Sequence, residues 1–255
     1  MVRRVRALAP HEDLLFFADQ AHVPYGERGI DDLADLLQRN VASLASAGVD
    51  AIVMGCNTTC AVAAERGWPE VPVPIFDLIA AAADTVAASG ARRIGVLATT
   101  ATARSGAYGT AIRARRGDAD VQEVAAPALV PLVESGTLDG PLARAAVAAA
   151  LAEFAGPLDA LVLACTHYPL LDAQFAAVLG PGVRRIDPAA AQAERVAAYL
   201  ATRPGSAGSG ATRYLTNGAL EPFAAAVAAI AGPLGPRDTV ALAAEAPAEA
   251  PSPLR

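Results

Sequence analysis

The sequence of 255 residues contains no lysine, because all 20 of its basic residues are arginine. Without lysine the chain cannot form the Schiff base on which ordinary pyridoxal-phosphate chemistry depends. It also cannot build a Walker-type phosphate-binding loop, which requires a lysine after its glycines. These two large classes of enzyme are therefore excluded.

Cysteine is also scarce, with three residues in the chain, and no signal-peptide pattern is found. Both features are typical of a protein of the reducing cytoplasm, which is the predicted location. The formal net charge of −6 argues against a nucleic-acid partner, because nucleic acids bind to a basic face. Apolar runs are interrupted before they reach about 18 residues, so we predict no membrane span.

Two segments of the sequence resemble each other. Asp50–Cys60 reads D-A-I-V-M-G-C-N-T-T-C, and Asp159–Pro169 reads D-A-L-V-L-A-C-T-H-Y-P. An offset of 109 residues (165 − 56) aligns Cys56 with Cys165 and also aligns the aspartates that open the segments. Each segment is typical of a buried parallel strand with a polar tip, and α/β sheets bind ligands at the carboxyl ends of their strands. We therefore predict an internal duplication that directs two cysteines into one cleft.

The rest of the chain alternates short apolar runs with helical patterns, which is typical of an α/β fold with parallel sheets. The other predicted strands span Asp13–Ala18, Val71–Phe76, Arg93–Ala98, Val121–Val124 and Val183–Asp187. A Gly/Ser-rich linker is predicted over Pro204–Gly210. The Ala/Glu/Pro-rich tail over 244–255 is predicted to be disordered.

The residues alone leave several uses of Cys56 and Cys165 open. They could be buried core residues, or they could bind zinc with Cys60 and His167, although C-x3-C and C-x-H are unusual spacings for zinc ligands. A disulfide is disfavoured in a reducing compartment, and a single nucleophile beside His167 would leave one cysteine without a role. Racemisation of a carbon acid would use both cysteines, since it needs an acid and a base of similar type on opposite faces of the carbon. Asp19 or His167 would then set which thiol is ionised.

Five longer motifs follow one another along the chain: A-D-Q-A-H-V-P-Y-G, G-C-N-T-T, A-T-T-A-T-A-R-S-G-A-Y, V-P-L-V-E-S-G and A-C-T-H-Y-P-L-L. With them the chain resembles the aspartate/glutamate racemase superfamily, and within it the glutamate racemases, up to about Leu200. A later motif, Y-L-T-N-G, matches the family more weakly. The resemblance implies two pseudo-symmetric three-layer α/β domains with parallel sheets and the active site between them. The first domain would comprise residues 1–78 and 190–243, and the second 79–189.

The resemblance also implies roles for individual residues. Cys56 and Cys165 correspond to the two catalytic thiols, and Asp19, Glu134 and His167 match residues that assist them. The positions that contact substrate are Pro24, Tyr25, Gly26, Asn57, Thr58, Thr99, Thr102 and Thr166. Neither a cofactor nor a metal is implied. The implied reaction converts L-glutamate to D-glutamate, which would supply peptidoglycan synthesis.

The beginning of the sequence departs from this family, whose members open with a strand ending in an Asp-Ser-Gly-type loop. The first ten residues, M-V-R-R-V-R-A-L-A-P, instead look like the end of a helix. We expect the absent strand to be central to the first sheet, so this chain should be a poor racemase, either truncated or part of a longer native protein. Alternatives are a racemase of aspartate or another amino acid, and a non-catalytic homologue that binds an amino acid or a protein. Relatives are often dimers, so a homodimer is compatible with the resemblance.

Overall fold

The computed structural model describes residues 1–203 and 208–243, in which helices and parallel strands alternate. The helices are α1 (Val2–Leu8), α2 (Ile30–Ser46), α3 (Asn57–Arg66), α4 (Leu78–Ser89), α5 (Thr100–Ser105), α6 (Ala107–Arg115), α7 (Leu129–Glu134), α8 (Gly140–Leu151), α9 (Asp172–Leu179), α10 (Pro188–Ala201) and α11 (Leu220–Ala231). The strands are β1 (Leu14–Ala18), β2 (Ile52–Val53), β3 (Ile75–Phe76), β4 (Arg93–Ala98), β5 (Asp120–Ala125), β6 (Ala160–Ala164), β7 (Arg184–Ile186), β8 (Thr212–Thr216) and β9 (Thr239–Leu242). The predicted α/β class is confirmed.

One sheet contains four parallel strands in the order β5-β4-β6-β7. Its strand β6 is apolar throughout, and each of its five residues is at most 1% exposed, because strands flank it on both sides and helices cover both faces. One core cluster packs α4 and α6 against the sheet, and a second packs α8 and α9. A strand buried on both faces is a continuous apolar run, which explains why the sequence pattern predicted it.

The other five strands form two separate parallel sheets, β1-β8-β9 and β2-β3. The two sheets share one layer, since Leu14 of β1 and Val53 of β2 pack against the same cluster, which includes residues of α1 and α10. On the opposite face, α2 packs against β2 in a cluster that contains Leu33, Leu37 and Ile52. The predicted first sheet is therefore present in two parts.

The internal duplication extends to the helix caps. Asp77 follows β3, and its carboxylate accepts hydrogen bonds from the amides of Ile79 and Ala80 at 2.8 and 3.1 Å. Asp187 follows β7 and accepts from the amide of Ala189 at 2.9 Å. Each carboxylate pairs amides that the first turn of a helix leaves free. The order strand, cysteine, helix, strand, aspartate, helix therefore occurs twice.

The structure corrects the length of one predicted strand and adds a strand that the sequence analysis did not predict. The predicted strand Val71–Phe76 is too long, because β3 is confined to its last two residues. Pro72 and Pro74 have no amide hydrogen and cannot donate to a ladder. Strand β9, which pairs in parallel with β8, was not predicted because its run T-V-A-L is short and only partly buried.

Some predictions concern residues that the structure does not describe. Residues 204–207 of the predicted linker and the predicted disordered tail 244–255 lie outside the described residues. The boundaries of the two domains stay a prediction. Within residues 1–203 and 208–243, no helix combines the length and the apolar character needed to cross a membrane.

Candidate active site

Cys56 and Cys165 follow strands of different sheets and line the same cavity. Cys56 comes after β2 as the residue before α3, and its side chain is partly exposed. Cys165 directly follows β6 and is 5% exposed. The cavity has a volume of about 2270 Å³, and Asp19, Glu134 and His167 also line it. The structure therefore places both cysteines and the three expected assisting residues around one space.

A carboxylate and an imidazole lie in line beside Cys165. The Nδ1 atom of His167 is 3.7 Å from the Sγ atom of Cys165. On the other side of the ring, Nε2 is 3.4 Å from Oε1 of Glu134, which ends α7. His167 is therefore placed to exchange a proton with the thiol, and Glu134 to stabilise the ring when it is charged.

The environment of Cys165 disfavours its thiolate. Burial raises the pKa of this thiol to about 11, and the negative charge of Cys56 adds to the increase. Backbone hydrogen bonds from His167 and Tyr168 act in the opposite direction without cancelling it. Near neutral pH Cys165 is consequently a thiol, which can donate a proton. The influence of Cys56 on this pKa also indicates that the two cysteines share one electrostatic environment.

Hydroxyl groups from both halves of the molecule meet next to Cys56. Thr58 Oγ1 lies 3.3 Å from Thr99 Oγ1 and 3.4 Å from Thr102 Oγ1, and Thr99 donates to Thr102 at 3.1 Å. Thr58 lies in the first turn of α3. Asn57 precedes it, and its side-chain oxygen accepts a hydrogen bond from the buried hydroxyl of Tyr108. Hydroxyls and free amides at the beginning of a helix are suited to binding a carboxylate.

Asp19 is held by four side chains after the end of β1. Tyr25 donates to its Oδ2 atom, Asn40 donates to the same atom at 3.1 Å, and Asn217 donates to Oδ1 at 2.5 Å. His22 Nδ1 also lies 2.5 Å from Oδ1. Burial alone would raise the pKa of Asp19, but these four hydrogen bonds outweigh it and lower the pKa to about 2. Asp19 is therefore a fixed anion that organises the loop after β1.

The other expected substrate positions also line the cavity. Pro24, Tyr25 and Gly26 all line it, and the backbone of Gly26 lies against Thr99. Thr166 is exposed and also lines it. Cys60 of α3, one of the possible zinc ligands, instead packs into the hydrophobic core. Its burial raises the pKa of its thiol, as expected for a core cysteine.

Four further polar residues around the site were not singled out from the sequence. Tyr108 and Asn217 fall inside quoted motifs, but their partners are distant along the chain. Asn40 is an ordinary polar residue of α2, and no local signal marks it. Arg104 of α5 lines the cavity and makes no ion pair in the part of the chain that the structure describes. Its guanidinium is a cation available to an anionic ligand.

Two thiols around one cavity can remove a proton from a bound molecule and return another. The carboxylate and imidazole beside Cys165 support such transfers, and the hydroxyl cluster offers a place for an anionic group. The fold and the site together define an α/β enzyme of acid–base proton transfer.

Comparison with known proteins gives the family. Residues 1–196 match the family model described as Asp/Glu/Hydantoin racemase. The chain is 40% identical over 240 residues to the glutamate racemase of Desulforudis audaxviator, covering 88% of this chain and 86% of that protein. The chain belongs to the Asp/Glu/Hydantoin racemase family and is an amino-acid racemase.

Two solved structures agree with this membership. Glutamate racemase from Thermus thermophilus, in complex with β-chloro-D-alanine, is 33% identical with a TM-score of 0.78, covering 94% of this chain and 90% of that chain. Glutamate racemase from Aquifex pyrophilus is 31% identical with a TM-score of 0.77, covering 94% of this chain and 92% of that chain.

Proposed function

We propose that this protein interconverts L- and D-glutamate by a two-base mechanism in which Cys56 and Cys165 are the acid and the base. The observation that carries the proposal is the pair of cysteines lining one cavity, with His167 and Glu134 aligned beside Cys165. The substrate comes from the relatives, which are named glutamate racemases. The structure of the Thermus thermophilus relative with β-chloro-D-alanine supports a site for a D-amino-acid skeleton.

The raised pKa of Cys165 favours this thiol as the acid in one direction, and Cys56 is then assigned as the base. The thiolate of Cys56 removes the α-proton, so that the Cα–H bond breaks and a carbanion forms. Cys165, held as a thiol by burial, then donates its proton to the opposite face of the same carbon. Cys56 is left as the thiol and Cys165 as the thiolate, and nothing is oxidised or reduced. In the reverse direction the roles exchange, and His167 with Glu134 assists the deprotonation of Cys165.

The polar groups of the cavity would orient the substrate. The hydroxyls of Thr58 and Thr99, with the free amides of the first turn of α3, are suited to the α-carboxylate. The guanidinium of Arg104 is suited to the side-chain carboxylate, which it can bind through two parallel hydrogen bonds. Fixing both carboxylates would hold the α-carbon between the two thiols.

The physiological role belongs to the same proposal. D-glutamate made by this reaction would supply peptidoglycan synthesis in the cytoplasm, as the resemblance to glutamate racemases implies.

Exchange of the α-proton in D₂O tests the proposed reaction. L-glutamate, D-glutamate and L-aspartate are incubated separately with the protein, and the loss of the α-proton signal is followed by NMR. We expect exchange with both glutamate enantiomers in the native protein, and loss of the conversion of one enantiomer into the other, followed by circular dichroism, in Cys56→Ser and in Cys165→Ser. Cys60→Ala is the matched control and should exchange normally, since Cys60 lies in the core.

The other outcomes are equally informative. Conversion of one glutamate enantiomer into the other that survives in either serine variant would refute the two-thiol mechanism. Exchange with L-aspartate alone would show that the enzyme acts on aspartate, which is the runner-up substrate. A folded protein that binds glutamate without exchange would be a binding protein and would refute the proposal.

A further inference from the structure

Tyr108 lies deep in the core near the beginning of α6. It is fully buried, and its ring packs in the cluster that contains Cys60 of α3 and Leu78 of α4. Protein interiors are packed as densely as crystals of small molecules, so a rigid aromatic ring in such a cluster keeps its hydroxyl group in place. Burial also raises the pKa of Tyr108 well above its ordinary value, so the hydroxyl group keeps its proton.

The hydroxyl group of Tyr108 meets a side chain of the cysteine cavity. It donates a hydrogen bond to the Oδ1 atom of Asn57 at 2.5 Å, across 51 residues of sequence. Asn57 directly follows Cys56 and is the first residue of α3. Helix α6, which carries Tyr108, packs against the sheet that contains β6. The bond therefore connects the residue after the first thiol to a helix of the sheet that ends in the second thiol.

This hydrogen bond decides which way the amide of Asn57 points. A side-chain amide accepts through its oxygen and donates through its nitrogen, so either end could face a hydroxyl group. If the nitrogen faced Tyr108, the buried hydroxyl group would have no acceptor among the residues that the structure describes. A buried donor without an acceptor is strongly disfavoured. The oxygen of the amide therefore faces Tyr108, and the NH2 group points away from it.

The NH2 group of Asn57 is free on the side of the cavity. Asn57 lines the cavity of the two cysteines. Within residues 1–203 and 208–243, its Nδ2 atom donates to no acceptor, and it does not belong to the fully buried polar atoms that lack a partner. The nitrogen therefore reaches the open space of the cavity, where both of its hydrogens are available to a ligand.

A fixed donor next to Cys56 suits the charge that the proposed reaction creates. When Cys56 takes the α-proton, the electron pair of the broken Cα–H bond spreads into the α-carboxylate. Asn57 precedes Thr58, whose hydroxyl is proposed above to bind that carboxylate. A donor to the α-carboxylate binds the transition state more tightly than the substrate, which raises kcat, provided that the donor is already in place.

We propose that Tyr108 is a positioning residue, whose hydroxyl group holds the amide of Asn57 so that its NH2 group donates to the α-carboxylate of glutamate. Tyr108 acts through Asn57, since it is fully buried and does not itself line the cavity. This role rests on the reaction proposed above, and it adds the residue that orients one of its donors.

The kinetics of racemisation, followed by circular dichroism, test this role. Tyr108→Phe removes only the hydroxyl group, and kcat for both glutamate enantiomers should fall about 10-fold with little change in KM, as for the loss of one hydrogen bond to a charged group. Asn57→Ala should lower kcat at least as much. Adding Tyr108→Phe to Asn57→Ala should have no further effect, because the two residues act as one unit.

Tyr214→Phe is the matched control. Tyr214 of β8 is also a buried tyrosine, being 5% exposed, and it does not line the cavity of the cysteines. Loss of its hydroxyl group should leave kcat and KM at their native values. Far-UV circular dichroism establishes that each variant is folded, so that a fall in kcat reports on the site.

NMR of the Asn57 side chain tests the orientation of the amide without turnover. The signal of its NH2 group is assigned by its absence in Asn57→Ala. Without substrate, these hydrogens should exchange with solvent within about 10-fold of the rate of an exposed asparagine, because they face the cavity. Saturation with L-glutamate should slow their exchange.

The outcomes separate this role from the proposed reaction. A native kcat in Tyr108→Phe, or an equal further fall when Tyr108→Phe is added to Asn57→Ala, would overturn the role of Tyr108. Slow exchange of the NH2 hydrogens without substrate would also overturn it, since the amide would then donate to Tyr108. A native protein that racemises no glutamate would instead refute the proposed function, and the exchange measurement would then decide the role of Tyr108 by itself.

Discussion

Cys165 should react with iodoacetamide much more slowly than an ordinary thiol. Only the thiolate is nucleophilic, and burial raises the pKa of Cys165 to about 11 from an ordinary value of 9.0. A shift of this size lowers the thiolate fraction at pH 8 from about 10% to about 0.1%, which is a roughly 100-fold slower reaction. Alkylation of the native protein across the alkaline range, followed by mass spectrometry of the peptide that contains Cys165, measures this pKa directly.

Two cysteine variants separate the causes of the raised pKa of Cys165. Cys56→Ala should lower the pKa of Cys165 and speed its alkylation, because the charge of Cys56 contributes to the increase. Cys60→Ala should leave it unchanged, since Cys60 lies in the core and is not among the groups that act on Cys165. A native midpoint at or below 9, or an equal response to both variants, would refute the assignment of Cys165 as the resting acid.

The same shift predicts a pH dependence of stability. Because the folded state raises the pKa, it favours the neutral thiol, and this contribution is present below about pH 9 and lost as the pH rises towards 11. Two pKa units correspond to about 2.7 kcal/mol of unfolding free energy. The free energy of unfolding, measured by urea, should therefore fall more steeply between about pH 9 and pH 11 for the native protein than for Cys165→Ala. Parallel pH profiles would contradict the raised pKa.

Three further changes test other parts of the site. Tyr168→Phe should lower the unfolding free energy by about 1–3 kcal/mol, because the buried hydroxyl donates to the carbonyls of Ala98 and Ala126 at 3.1 and 2.8 Å; unchanged urea unfolding would contradict this. Asn217→Ala should raise the pKa of Asp19 from about 2 by removing one hydrogen bond, and an unmoved carboxyl titration in NMR would show that the bond does not matter. Arg104→Ala should raise KM for glutamate about 10-fold with little change in kcat. A lower kcat with an unchanged KM would place Arg104 in the chemical step.

Much of the fold and part of the site follow from local sequence patterns. The apolar run of β6 is buried on both faces, and such a run specifies a central strand wherever it occurs. The aspartates after β3 and β7 cap the helices that follow them, because a carboxylate at that position pairs free amides. The repeat of strand, cysteine and helix is likewise visible in the sequence, so the positions of both thiols at strand ends could be predicted.

What only the tertiary structure decided depends on residues far apart in the chain. Asn40 and Asn217 converge on Asp19 from 21 and 198 residues away, and Glu134 at the end of α7 reaches His167 in the turn after β6. The pKa of Cys165 depends on how deeply the chain packs around it. Among the residues that the structure describes, β1 and β2 belong to separate sheets, because β1 pairs with β8 and β2 with β3, and pairing between strands is a long-range choice. Local patterns determine which segments become strands and helices, whereas neighbours, burial and open edges are determined by how those segments pack together.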